Sequence, residues 1–264
     1  MIMREKDDLI SRIRNVQNGL MERIVPNVET YGTYQEHYAR YTFASNFCKN
    51  KIVLDVACGV GYGVYHLIKN GAKSVIGIDI SKDSIAYANT HYTGPKIEFI
   101  VGDATKLPIS DNFFDVIVSF ETIEHVREYE KYLSECKRVL KAGGVFICST
   151  PNKVHETISN PYHIREFYLD DFYDMMDRNF RDVKLYGQLY SSIVITIGGK
   201  LLSVFPKQWK VKDLVRRNIW RKRTSSVSKF EFTPFDDKTY QVSPFKKFMR
   251  PAVIIAVTKN KRSG

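Results

Sequence analysis

The sequence predicts an α/β protein built on an open, mostly parallel sheet covered by helices on both faces. Three observations predict it. From residue 51 onward, short β-rich runs alternate with helical stretches; a glycine-rich turn in VLDVACGVGYG (53–63) joins the first run to a helix; and acids, Asp55, Asp79 and Asp103, close three of the early runs.

The elements follow in order. Leu9, Ile10, Ile13, Val16, Leu20, Met21 and Ile24 recur at helical spacing until Pro26 stops the pattern, which gives an amphipathic N-terminal helix. YGTYQEHYARYTFA (31–44) reads as a second helix able to close over the sheet edge. Strands are expected near 51–56, 74–79, 97–102, 114–120 and 144–149, with helices near 62–70, 82–91 and 128–141. Gly71 closes the first of these helices, and Ser81 supplies an N-cap for the second. A helix near 169–178, a strand near 182–189 and a last strand, AVIIAVT at 252–258, complete seven strands. The expected organisation is an N-terminal helical cap (1–45), a core (46–190 and 245–264) and a basic, amphipathic, helical insertion (191–244).

Composition narrows the setting. The 264 residues are 44% hydrophobic, enough to bury a core. Residues 1–25 carry Arg4, Glu5, Lys6, Asp7 and Asp8 and no apolar stretch of signal-peptide type. The longest mostly apolar run, about 193–205, falls short of the roughly 20 residues that span a bilayer. Cys48, Cys58, Cys136 and Cys148 are widely spaced with no C-x-x-C pair, so neither a disulfide framework nor a thiolate zinc site is expected; a reducing, cytoplasmic setting is. The net charge of +11 is concentrated: residues 200–230 hold ten Lys or Arg against Asp213 alone.

The glycine turn first suggests a phosphate-binding loop. Asp55 argues against it, because a carboxylate beside the helix N-terminus repels a pyrophosphate, and the spacing departs from G-x-G-x-x-G. A ligand with adenosine at one end and a cationic amino acid at the other suits all three acids. At these residues, in the order VLDVACGVGYG, VIGIDIS, FIVGDATKLP, FDVIVSFETIEHV and VLKAGGVFICSTPN, the sequence resembles the class I S-adenosylmethionine-dependent methyltransferases, over about 35–190 and the final strand. The resemblance implies a Rossmann-like fold, S-adenosylmethionine as cofactor, and a role for each matching position. Asp55 and the backbone from Ala57 through Cys58 and Gly59 to Gly61 would hold the methionine end. Asp79 would take the ribose hydroxyls and Ile80 the adenine face. Asp103 would accept from the adenine amino group, with Ala104 in backbone contact and Phe120 nearby. Family resemblance also places Tyr34, His37 or Arg40 near the cofactor carboxylate. Two positions depart from the pattern: Ala57 and Ala142 stand where many members have glycine and proline. Alanine at 57 is a mild change provided that its φ is ordinary.

Transfer to a hydroxyl needs a base, and SFETIEHV, after the fourth strand, offers Glu121, Glu124 and His125; imidazole has the proton affinity for such work near neutrality. His163 is a further catalytic candidate. No metal is expected, although E-x-x-E-H resembles the divalent-metal site of ubiquinone-pathway and small-RNA methyltransferases. Glu121, Glu124 and His125 match that site, and His155 or His163 would complete it only by folding back. NPYHIREFYLDDF (160–172) combines His163, Arg165 and Glu166 with Phe167 and Tyr168, a set suited to a polar, ring-shaped acceptor or to a plain helix entry.

The segment 191–223 mixes apolar residues with the basic cluster, which suits an anionic membrane surface, a lipid-linked anionic substrate, nucleic acid or a solvated face. ERIVP (22–26) and EHYARYTFA (36–44) resemble superfamily members associated with polysaccharide biosynthesis. The favoured expectation is O-methylation of a small-molecule, sugar or lipid-linked glycan acceptor. The alternative is a nucleic-acid methyltransferase, ribose 2′-O above all, since neither a D/N-P-P-Y/F loop nor a Pro-Cys nucleophile is present. A binding protein without turnover is a third reading, disfavoured because every cofactor acid and glycine is in place.

Overall fold

The computed structural model describes residues 31–155, 161–188, 194–197, 200–203, 242–244 and 253–261. The amphipathic helix expected over 9–24 lies outside them. The described elements are α1 (Tyr31–Cys48), β1 (Ile52–Val56), α2 (Tyr62–Lys69), β2 (Ser74–Asp79), α3 (Lys82–His91), β3 (Ile97–Val101), β4 (Phe114–Phe120), α4 (Tyr129–Val139), β5 (Leu140–Pro151), α5 (Leu169–Asn179), β6 (Arg181–Gln188), β7 (Val194–Ile197), β8 (Lys200–Ser203), β9 (Val242–Pro244) and β10 (Val253–Lys259). Short 3₁₀ turns, Ile123–His125 and Lys153–His155, follow β4 and β5.

The main sheet runs β3-β2-β1-β4-β5-β10-β6-β9. Strands β1 to β5 pair in parallel, and β10 runs antiparallel between β5 and β6. The eighth strand, the three-residue β9, adds to the outer edge of β6 beyond the seven expected. Alternate residues of each strand feed opposite faces. Val53, Val75 and Val116 pack beneath α1, α2 and α3, whereas Leu54, Ile117 and Phe146 pack beneath α4 and α5. Burial on both faces explains the continuous apolar runs. Ser81 caps α3 as expected, its hydroxyl accepting from the Ser84 amide at 3.2 Å. The order reverses at β1, which lies between β2 and β4, and such a switch point opens a crevice at the carboxyl ends of the strands.

Helix α1 packs on α2 through Tyr38, whose ring meets His66 edge-on at 4.3 Å, and Thr42, whose hydroxyl lies 3.3 Å from Nε2 of His66. The four cysteines are buried and unbridged. The chain divides into two units, Met1–Leu189 with Val242–Gly264, and Tyr190–Gln241. In the second unit the described residues form an antiparallel hairpin, β7 with β8, where a helical insertion was expected; Lys207 to Lys229 lie outside the described residues. Among the described residues no helix is long and apolar enough to cross a membrane.

Candidate active site

The glycine turn after β1 is built from alternating left-handed residues: Ala57 at φ 62°, Gly59 at 55° and Gly61 at 86°. The three glycines differ in what fixes them. A Cβ on Gly63 would sit 2.0 Å from the Tyr41 ring, and one on Gly61 would sit 2.7 Å from Phe99, so both are packing positions. A Cβ on Gly59 would meet nothing within 4 Å, so this backbone is the part bare to a ligand. The Gly59 amide donates to Asp79 Oδ2 at 2.9 Å. A carboxylate thus already occupies the position where a phosphate loop offers its amides.

The expectation of a mild change at 57 is corrected by its φ, because a left-handed alanine brings Cβ against the following carbonyl at about 1–2 kcal/mol. Ala57→Gly is expected to stabilise the fold by about 0.5–1 kcal/mol, the relief being partly offset by the greater freedom of glycine in the unfolded chain. Urea unfolding of the two proteins checks this, and a less stable glycine variant would contradict it.

Asp79 is buried at the end of β2 and also accepts from the Ser81 amide at 2.8 Å, which fixes the carboxylate at the crevice. Beside it Ile80 is 54% exposed and Val101 43%, an apolar surface fit for one face of a planar base. Asp103, at the surface beyond β3, holds its own turn by accepting from the Thr105 amide and hydroxyl, both at 2.8 Å. Ala104 packs against the core on that side, and Cys58 is buried beneath the loop.

Helix α1 supplies the other wall. Tyr41 donates to Asp55 Oδ2 at 3.0 Å and meets Phe120 edge-on at 5.0 Å. Asp55 is fully buried, and its Oδ1 has no hydrogen-bond partner. Burial pushes its pKa up to about 8, against the Tyr41 hydrogen bond that lowers it. Arg40 is equally buried: Nη1 donates to the amide oxygen of Gln188 at 2.6 Å, and Nε is unpaired. Its hydrogen-bond partner is a neutral amide, and among the nearby acids its charge reaches Glu124, whose pKa it lowers. Tyr62 feels both groups, Arg40 lowering its pKa and Asp55 raising it, so the two lie in one neighbourhood. The unpaired Asp55 oxygen and the unpaired Arg40 Nε fit the ammonium and carboxylate of a methionine moiety. With the bare Gly59 backbone and the Ile80 surface, these residues fit S-adenosylmethionine. His37, one turn before Arg40, is held neutral by burial first and by the Arg40 charge second; Tyr34 meets the Tyr62 ring at 5.3 Å.

The end of β4 carries the second cluster. Glu121 takes a positive φ of 50° and turns its carboxylate onto the Ser149 hydroxyl at 2.8 Å. Glu124 is buried; Oε2 accepts from Thr150 at 3.1 Å and Oε1 has no hydrogen-bond partner. Burial, then the Glu121 charge, holds its pKa well above the carboxylate range. Its main-chain oxygen accepts from the Ile164 and Arg165 amides at 2.9 and 3.1 Å, which folds the 161–168 loop back over the strand end. His125 Nδ1 lies 2.9 Å from the Tyr162 carbonyl oxygen, and the His125 and His163 rings meet edge-on at 5.0 Å. A carbonyl only accepts, so Nδ1 carries the proton and Nε2 of neutral His125 keeps its lone pair.

Glu124, His125 and His163 bring one ligand-type atom each within 4.8 Å of one another. Oxygen and nitrogen ligands at about 2.1 Å from an ion stand at most about 4.2 Å apart, so these three side chains would have to move closer before they could share a divalent cation. Glu121 is outside this set. The side chain of His155 lies outside the described residues, as does 156–160.

The ten cofactor positions expected from the sequence therefore gather at the carboxyl edge of β1 to β4, and His125 meets His163 there. Sequence reasoning missed Tyr41 and Gln188. The tight fit of Tyr41 on Gly63 was signalled only by a glycine beyond the turn, and nothing local marks Gln188, which is 148 residues from Arg40.

Residues 54–148 match the family described as a methyltransferase domain. A probable S-adenosylmethionine-dependent methyltransferase of Mycolicibacterium smegmatis is 34% identical over 163 residues, 59% of this chain and 62% of that protein. The chain thus spans less than two thirds of that relative. Among solved structures, the YcgJ protein of Bacillus subtilis superposes with a TM-score of 0.56 at 19% identity, covering 86% of this chain and all of that one. Phosphoethanolamine N-methyltransferase 2 of Haemonchus contortus, in complex with S-adenosyl-L-methionine, superposes at 0.54 and 15% identity over 84% of this chain and 52% of its own. At such identities the likeness is one of fold.

Proposed function

We propose that this chain, whose residues 54–148 match a methyltransferase-domain family, is a class I S-adenosylmethionine-dependent enzyme that methylates a hydroxyl oxygen of a sugar, a lipid-linked glycan or another small molecule. The observation that carries the oxygen acceptor is the fixed tautomer of His125: its Nδ1–H is committed to the Tyr162 carbonyl, which leaves Nε2 as a base on the cofactor's edge of the sheet. A hydroxyl is a weak nucleophile until its proton leaves, whereas a neutral amine attacks without giving one up first and so has less need of a base.

S-adenosylmethionine supplies a methyl carbon activated by its sulfonium. Asp55 and Arg40 hold the amino-acid end, Asp79 the ribose, and Ile80 with Asp103 the adenine. This fixes the methyl carbon against the acceptor, and alignment of that kind is worth up to roughly 7–11 kcal/mol. His125 Nε2 would take the proton of the acceptor hydroxyl as its oxygen accepts the methyl group, which the sulfonium of the bound cofactor would supply. Glu121, tied to Ser149, shapes the strand end, and His163 orients the acceptor beside His125. The basic residues of 200–230 are assigned to anionic headgroups or a lipid-linked phosphate at a cytoplasmic membrane surface.

Transfer of labelled methyl into a fractionated extract tests this. Label is expected in the lipid or glycan pool and is expected to survive EDTA. Label confined to RNA would move the basic segment to a phosphate-binding role and favour ribose 2′-O-methylation. Label confined to amines would remove the oxygen acceptor. Loss in EDTA with recovery in Mg²⁺ would turn Glu124, His125 and His163 into a metal centre.

A further inference from the structure

A cavity of about 310 Å³ lies beside the 161–168 loop, between the start of α4 and α5. Tyr129 forms one side; Asp171, Asp174, Met175 and Arg178, spaced as one helical face, form the other; and Arg165 stands over the Tyr129 ring at 4.4 Å. That volume sits at the lower end of ligand pockets, which run from about 300 to 1,000 Å³.

The charges on this wall balance. Glu166, also on the wall, pairs with Lys153 at 3.6 Å. The wall itself holds Arg165 and Arg178 against Glu166, Asp171 and Asp174, and the third carboxylate is offset from outside the lining by Lys153. An ion of either sign therefore meets as much repulsion as attraction. What remains is a ring of guanidinium donors and carboxylate acceptors around an apolar floor, where Met175 and Phe167 are buried. Hydroxyl groups both donate and accept, so a neutral polyhydroxylated ring uses both kinds of group at once, with its C–H face on the floor.

The cavity is tied to the candidate base. The Ile164 and Arg165 amides hang from the main-chain oxygen of Glu124, and Tyr162 in the same loop accepts from His125. We infer that the cavity between α4 and α5 is an acceptor subsite for a neutral sugar ring, one unit removed from the ring whose hydroxyl reaches His125. This rests on the glycan reading above.

The test uses the full chain with ¹³C-methyl methionine, the Met175 resonance being assigned with Met175→Leu. Titration with neutral methyl hexopyranosides is expected to shift that resonance saturably in the millimolar range. Hexuronate and hexosamine should bind about tenfold more weakly. Asp174→Ala and Arg178→Ala should each weaken the neutral glycoside about tenfold, the worth of one good hydrogen bond, with S-adenosylmethionine affinity unchanged. An unmoved Met175 signal, stronger binding of a charged sugar, or undiminished binding by both variants overturns the subsite. Calorimetry on the same samples keeps the two readings apart: normal cofactor binding without a sugar response removes the subsite alone, and absent cofactor binding removes the enzyme reading beneath it.

Discussion

Replacing His125 by glutamine is expected to lower turnover about 10²–10⁴-fold, the usual worth of a general base, and to leave S-adenosylmethionine affinity within about twofold. The glutamine amide can still donate to the Tyr162 carbonyl, so the loop that His125 holds is kept. What is lost is the lone pair on Nε2. Steady-state kinetics give the turnover and calorimetry the affinity. Equal turnover in the variant would remove His125 as the base. A parallel fall in affinity and turnover would make its role one of holding the loop.

Asp55→Asn should produce opposite effects on binding and stability. The unpaired Oδ1 loses its charge, and a charge-assisted hydrogen bond of about 1.5–3 kcal/mol predicts a 10- to 100-fold loss of S-adenosylmethionine affinity. The ligand-free protein should gain stability. In the folded chain Asp55 releases its proton only near pH 8, whereas an unfolded aspartate does so near about 4. Between these values the folded state binds the extra proton, so stability falls as pH rises through the window and is fullest below it. The melting temperature of the variant should therefore exceed the original by a margin that widens from pH 5 to pH 8. Cofactor binding below pH 8 should release a proton, read as a dependence of binding enthalpy on buffer ionisation. A margin that stays constant with pH would show that Asp55 is ionised in the free protein.

The parts of this molecule that could be read from the chain are those written in local pattern. Buried parallel strands need unbroken apolar runs, so β1, β2 and β4 stand out, and Asp55, Asp79 and Asp103 are conspicuous because each follows such a run. Ser81 marks α3 through a hydrogen bond that spans three residues. The rest depends on distance along the chain. Tyr41 and Asp55 meet because α1 lies against α2, and Arg40 finds Gln188 across 148 residues. His163 reaches His125 because the main-chain oxygen of Glu124 captures two amides of a later loop, a contact without a side-chain signature. The left-handed φ of Ala57 runs against its residue type, and no propensity rule would have found it. Likewise β9 is three residues long and is defined by its partner β6 rather than by its own composition.

The position of β10 bears on how the chain is made. This strand is buried from Val253 to Thr258 and fills the slot between β5 and β6. About seventy residues separate the end of β6 from the end of β10, and β6 joins the sheet only through that later strand. At about 5–20 residues per second, a ribosome delivers β10 several seconds after β6 has emerged. Throughout that interval β5 presents an unpaired edge, and β6 hangs from the nascent chain without its neighbour. The strands from β1 to β5 can assemble during synthesis, whereas β6 must wait. Slower growth temperatures and edge-binding chaperones should therefore raise the yield of complete protein more than any change within β1 to β4.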